Sequence, residues 1–111
     1  MKEYVNKYTF RNRFRSSDNY ANQFSTKGLD ALFEYIEEVE DDIGEEFEFD
    51  MVGICCDYTE YDDIEDFHND YGAMKEEYGT SAQIYKTLDD IREQTTVIEI
   101  PDTERFIIGV F

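Results

Sequence analysis

Carboxylates are the side chains of this sequence best equipped for chemistry, and a close pair of them is what glycosidases and aspartic proteases use as acid and base. They crowd in CDYTEYDDIEDFHNDYG, residues 56–72, which has no Lys or Arg and threads Tyr58, Tyr61, Phe67 and Tyr71 among its acids. With 28 Asp and Glu in 111 residues, however, some two carboxylates must lie close by chance, and a domain this small has little room for a substrate cleft. Abundance therefore argues against a catalytic pair, and the chain is not expected to be an enzyme.

Other chemistries fail on spacing. An EF-hand loop starting at Asp57 needs oxygen ligands at its third and fifth positions and Gly at its sixth; Thr59 passes, but Tyr61 and Asp62 do not. His68 is the sole histidine and Cys55 and Cys56 the sole thiols, so no C-x-x-C or H-x-x-x-H zinc spacing exists. There is no Gly-rich phosphate loop and no G-x-S-x-G. No catalytic residue, metal or cofactor is expected.

The elements that position the acids can be read from apolar spacing. In FSTKGLDALFEYIEEVEDDIG, residues 24–44, Leu29, Leu32, Phe33, Ile36, Val39 and Ile43 recur at three- and four-residue steps, an amphipathic helix. Ser25 caps its start, Phe24 and Leu29 have staple spacing, and Gly44 ends it. Its other surface carries Asp30, Glu34, Glu37, Glu38, Glu40, Asp41 and Asp42, the last three at the end where the helix dipole disfavours negative charge. Folding stability does not explain them there.

FEFDMVGICCDY, residues 47–58, reads as an apolar central strand in which Cys55 and Cys56 point to opposite faces and stay reduced. Asp62, with Glu65 three residues on, caps a short helix burying Ile64, Phe67 and Tyr71, with His68 partly exposed on it. Thr87 and Asp90 form a second capping box, for a helix over roughly 87–94 that could begin as early as Ser81. The stretch 72–86 fits no single element. Val97–Ile100 and Phe106–Val110 read as a hairpin around Pro101 and Asp102. The expected fold class is α+β, a small antiparallel sheet of about three strands packed with two to four helices in one domain over residues 1–111. Hydrophobic content of 41% is too high for a disordered acidic tail, no run of 18 apolar residues occurs, and the start MKEYVNKYTF is too polar for a signal peptide. A soluble cytoplasmic protein, with no membrane contact, is expected.

Charge placement is more informative than the net −18. Residues 28–74 hold 18 acids and only Asp and Glu as charged groups before Lys75 ends the stretch, whereas the remainder balances 10 acids with 10 bases. Residues 1–27 carry a local balance of +4, so a bipolar molecule is expected. Salt-tolerant surfaces spread their acids along the chain, so this localisation points to a binding surface for a basic partner. Carboxylates at i and i+4 on a helix lie about 6 Å apart, comparable with successive phosphates, so such an array can occupy a groove built for nucleic acid while itself repelling DNA and RNA. The expected contact residues are Glu34, Glu37, Glu38, Asp41, Asp42, Tyr58, Glu60, Tyr61, Asp62, Asp63 and Asp66. Arg11, Arg13 and Arg15 could touch nucleic acid, pair with another copy to give a homodimer, or fold onto the chain's own acidic helix. Charge pairing, within or between chains, is the simplest of these.

The strand-like run that ends Cys56, Asp57, Tyr58, Thr59, Glu60 and Tyr61, followed later by TTVIEI, resembles small acidic proteins of bacteriophages and mobile elements. The resemblance covers roughly residues 25–100. It implies an inhibitor of the anti-CRISPR or antirestriction type, which binds a host nucleic-acid-processing protein, a CRISPR effector nuclease or restriction enzyme, in the host cytoplasm. The alternative is an acidic adaptor that binds another basic protein without displacing nucleic acid.

Overall fold

A computed structural model describes residues 5–71, 73–75, 79–80 and 85–111. Asn6 opens helix α1 (Lys7–Arg15) by accepting the Thr9 N–H at 2.9 Å, and Phe10 and Phe14, one turn apart, form its buried face. Two large apolar residues in nine make a stripe too thin to separate from a polar loop by periodicity, so the sequence left this helix unpredicted. Helix α2 (Thr26–Ile43) matches its sequence signals. Ser25 accepts the Gly28 N–H at 3.0 Å, Phe24 and Leu29 are buried together, and Gly44 ends it in the left-handed region at φ 72°.

The expected central strand over 47–58 is not formed; only its last residue, Tyr58, lies in a strand. Residues 45–50 run without regular structure, and Met51–Asp57 is a helix, α3, whose N-cap Asp50 accepts the Gly53 N–H at 3.0 Å. Met51, Ile54, Cys55 and Tyr58 all pack on the core, while Val52 and Cys56 are exposed. That is the i, i+3, i+4, i+7 pattern of a helix inside an apolar run, where period alone does not separate helix from strand. Both cysteines are free thiols, and burial, then the neighbouring Cys56, pushes the Cys55 thiol up.

Three strands make the main sheet: β1 (Tyr58–Tyr61), β4 (Val97–Glu99) and β5 (Phe106–Gly109), in the order β1-β5-β4 and antiparallel throughout. The central position belongs to β5, whose Phe106, Ile107 and Ile108 are all fully buried because helices cover both faces. Ile107 joins the cluster of α1, α2 and α3, whereas Phe106 and Ile108 join a second cluster with Tyr61, Phe67 and Ile91. The β4–β5 hairpin forms as expected. Its turn places Pro101 first and Asp102 second, at φ 62°, with the Thr103 N–H donating to the Ile100 carbonyl.

Helix α4 (Ile64–Tyr71) starts one residue later than the expected cap. Asp63, not Asp62, accepts the Asp66 N–H at 2.8 Å, and Asp66 in turn accepts the Asp62 N–H at 3.1 Å. Phe67 is buried as expected and the Tyr71 side chain lies outside the described residues. His68, half-buried on α4, bonds the Tyr85 carbonyl oxygen through Nε2 at 2.7 Å. The Thr87 and Asp90 capping box is present, but helix α5 spans only Leu88–Arg92, and non-helical Tyr85 and Lys86 exclude a continuous start at Ser81. A two-stranded ladder, β2 (Ala73–Lys75) with β3 (Gly79–Thr80), occupies part of the stretch the sequence left open; residues 72, 76–78 and 81–84 lie outside the described residues. The class is α+β, with five helices among the described residues rather than two to four. No described helix is long and apolar enough to cross a membrane.

Candidate docking surface

The basic segment lies along the acidic helix instead of forming an opposite pole. Helices α1 and α2 pack antiparallel, and their partners step by four residues on both: Lys7 with Glu34 at 2.7 Å, Arg11 with both Asp30 oxygens at 2.8 and 2.9 Å, Arg15 with Thr26 Oγ1 at 2.8 Å. The hydrogen bond that Lys7 donates to Glu34 holds its ammonium above its ordinary range. Arg13 stacks over the Phe49 ring at 5.1 Å. Arg11, Arg13 and Arg15 all make contacts within the chain.

This ladder divides α2 into two halves. The first is neutralised, so Glu34 already has a cationic partner. Beyond it Glu38, Asp41 and Asp42 are exposed, followed by Glu45, Glu46 and Glu48, and none of these six has an ion pair among the described residues. Glu37 is half-buried on the same turn. Sequence reasoning did not single out Glu45, Glu46 and Glu48 because it assigned Glu48 and the residues after it to a strand; the signal was the EEFEFD run itself.

The remaining expected contacts lie elsewhere and serve the fold. The Glu60 side chain is 2% exposed, accepts the Ser25 N–H at 3.0 Å and the Arg105 Nε–H at 2.6 Å, and so is already engaged within the fold. Asp62 pairs with the same Arg105. Tyr61 is 4% exposed, its ring on Phe67 and Phe106 and its hydroxyl donating to Asp70 at 2.5 Å. Strand alternation explains both corrections: Tyr58 and Glu60 face α2, and Tyr61 faces α4. Asp63 and Asp66 are occupied in the α4 cap. Because Glu60 contacts Ser25 at the start of α2, and Asp42 lies 17 residues along that helix, about 25 Å away, the eleven residues do not form one array.

Of the two tyrosines, Tyr58 alone borders the acidic half of α2. Its ring meets Tyr35 edge-on at 6.4 Å, and with Ile36, Val39, Phe47, Glu48 and Ile54 the pair lines a cleft of about 270 Å³. Burial, then Tyr35 and Asp57, holds the Tyr58 phenol above the usual tyrosine range. The unfolded chain therefore ionises first, so this contribution to stability is intact below about pH 10 and is lost as pH rises through the folded value. Tyr58→Phe should flatten the alkaline fall of the urea midpoint above about pH 10, and an unaltered fall would assign it to other groups.

Among the described residues no three His, Cys, Asp or Glu gather to hold a metal ion. Fold and surface define an acidic α+β domain that pairs its basic helix internally and leaves carboxylates outward at one end. No protein-family model, curated protein or solved structure matches the chain.

Proposed function

We propose that this protein binds a basic, nucleic-acid-binding channel of another protein and blocks it by presenting carboxylates where phosphates would lie. The observation that carries the reading is the division of α2: α1 neutralises its first half and leaves Glu38, Asp41 and Asp42, continued by Glu45, Glu46 and Glu48, without cationic partners among the described residues. Like charges at a helix C-terminus oppose both the dipole and one another, so a partner is the reason to keep them. Channels that track a nucleic-acid backbone through Lys and Arg are complementary to such a surface.

The resemblance to phage proteins supports a host defence nuclease as the owner of that channel, a CRISPR effector before a restriction enzyme. Acting there, in the host cytoplasm, the protein is an inhibitor and needs no catalytic group. The test is affinity capture from a bacterial lysate followed by a wash with excess duplex DNA. Release of a nuclease or other DNA-binding protein supports competition; a partner retained through the wash supports the adaptor reading instead. The apolar cleft beside the acids favours that second reading to the extent that nucleic-acid channels offer it nothing to bind.

A further inference from the structure

The cleft between the second half of α2 and the segment 45–50 is apolar and preformed. Tyr35, Val39, Phe47, Ile54 and Tyr58 form most of its lining, and at about 270 Å³ it falls just below the size of ordinary small-molecule pockets, roughly 300–1,000 Å³. A dry apolar cavity of ~150 Å³ holds a benzene ring, so this one has room for a single aromatic or aliphatic side chain.

Its wall is held open. The buried Glu40 carboxylate accepts the Phe47 N–H at 2.6 Å, and Gly44, in the left-handed conformation, turns the chain back toward it. Phe47 therefore stands 36% exposed at the cleft, and Ile43, one turn beyond Val39, is 53% exposed. Burying apolar surface left open to water in this way is favourable. Acids lie near it: Glu48 lines the cleft itself, and Glu38 and Asp42 follow the lining residues Tyr35 and Val39 at i+3 on α2. An apolar centre with Tyr at its base and a charged rim is the anatomy of an interface hot spot.

We infer that this cleft receives one hydrophobic side chain, flanked by Lys or Arg, from the surface of a basic partner protein. The inference rests on the acidic docking face proposed above and adds a specific anchor to it. Charge would bring the partner in and set its orientation; the seated side chain would set how long it stays.

Two synthetic helical peptides of equal charge, built from Arg, Lys and Ala and differing only in one central Phe or Ser, provide the test by calorimetry at fixed salt. The Phe peptide should bind about 10-fold or more tightly than the Ser peptide, as expected for burying one aromatic side chain. Val39→Phe, which fills the cleft from a half-exposed position, should remove that preference, and Phe-peptide binding should move the NMR signals of Tyr35, Val39 and Tyr58 in the unmodified protein. Glu38→Gln with Asp42→Asn should weaken both peptides alike. Equal affinities that still respond to this neutralisation would overturn the cleft and leave the acidic face standing. A Phe preference indifferent to neutralisation would overturn the basic partner and with it the docking face.

Discussion

Replacing Glu60 with Ala should lower the free energy of unfolding by about 2–4 kcal/mol, because removing one partner of a buried ion pair leaves the other charge and its neighbours uncompensated. Glu60 joins three parts of the fold: strand β1, which carries it, the Ser25 N–H at the start of α2, and Arg105 before β5. Arg105 is 37% exposed and also reaches Asp62, so water and that second carboxylate recover part of the loss, which holds the figure at the lower end of values for buried pairs. A carboxylate here also faces the positive end of the α2 dipole. Glu60→Gln keeps an acceptor for Ser25 and should cost about 1–2 kcal/mol. Gly28 belongs to the same node, since a Cβ on it would collide with the Glu60 carboxylate. Urea denaturation measures these differences. A midpoint for Glu60→Ala indistinguishable from wild type would make the pair an ordinary surface contact. Because Glu60 points inward, Glu60→Gln should also leave partner binding unchanged, which separates its structural role from the contact role its sequence position suggested.

What could be read from the sequence follows from how local each signal is. Helix α2 was legible because Ser25, an apolar stripe and Gly44 all lie within one stretch, and the β4–β5 hairpin because Pro101 and Asp102 mark its turn. Helix α3 was misread because Met51, Ile54 and Cys55 sit in an apolar run where helical spacing is masked by Val52 and Cys56, which are exposed. The exposure of the expected contact residues divides for a different reason. Exposure of Glu38, Asp41 and Asp42 follows from the helix period alone, but the burial of Glu60 and Tyr61 depends on which face of β1 meets which helix and on Arg105, 45 residues away. Pairing of α1 with α2 needed only the matched four-residue spacing of Lys7 and Arg11 with Asp30 and Glu34, once both segments were known to be helical. Composition located the acidic segment; only tertiary structure shows which acids the fold itself employs.

Reversing charge at the end of α2 should move stability and binding in opposite directions. In a Glu38→Lys, Asp41→Lys, Asp42→Lys variant, positive groups replace negative ones beside the carboxyl end of the helix dipole, where each favourable charge contributes about 0.3–1 kcal/mol. Repulsion among neighbouring carboxylates falls as well, so the variant should unfold about 1–2 kcal/mol later than wild type at low salt. Added salt should raise the melting temperature of the wild type and narrow the gap, because screening acts chiefly on the repulsion the variant lacks. Partner affinity should fall at least about 100-fold, as expected when three charge contacts of about 1 kcal/mol each are lost or reversed. The control is Lys7→Ala, which breaks a pair in the neutralised half of α2 and leaves all three acids in place; it should bind as wild type. A residue set shaped by folding gives losses of stability on substitution, whereas one kept for a partner gives stability when removed. Loss of stability in the triple variant, or binding that survives it, would therefore sink the docking face, since the acids would then be serving the fold.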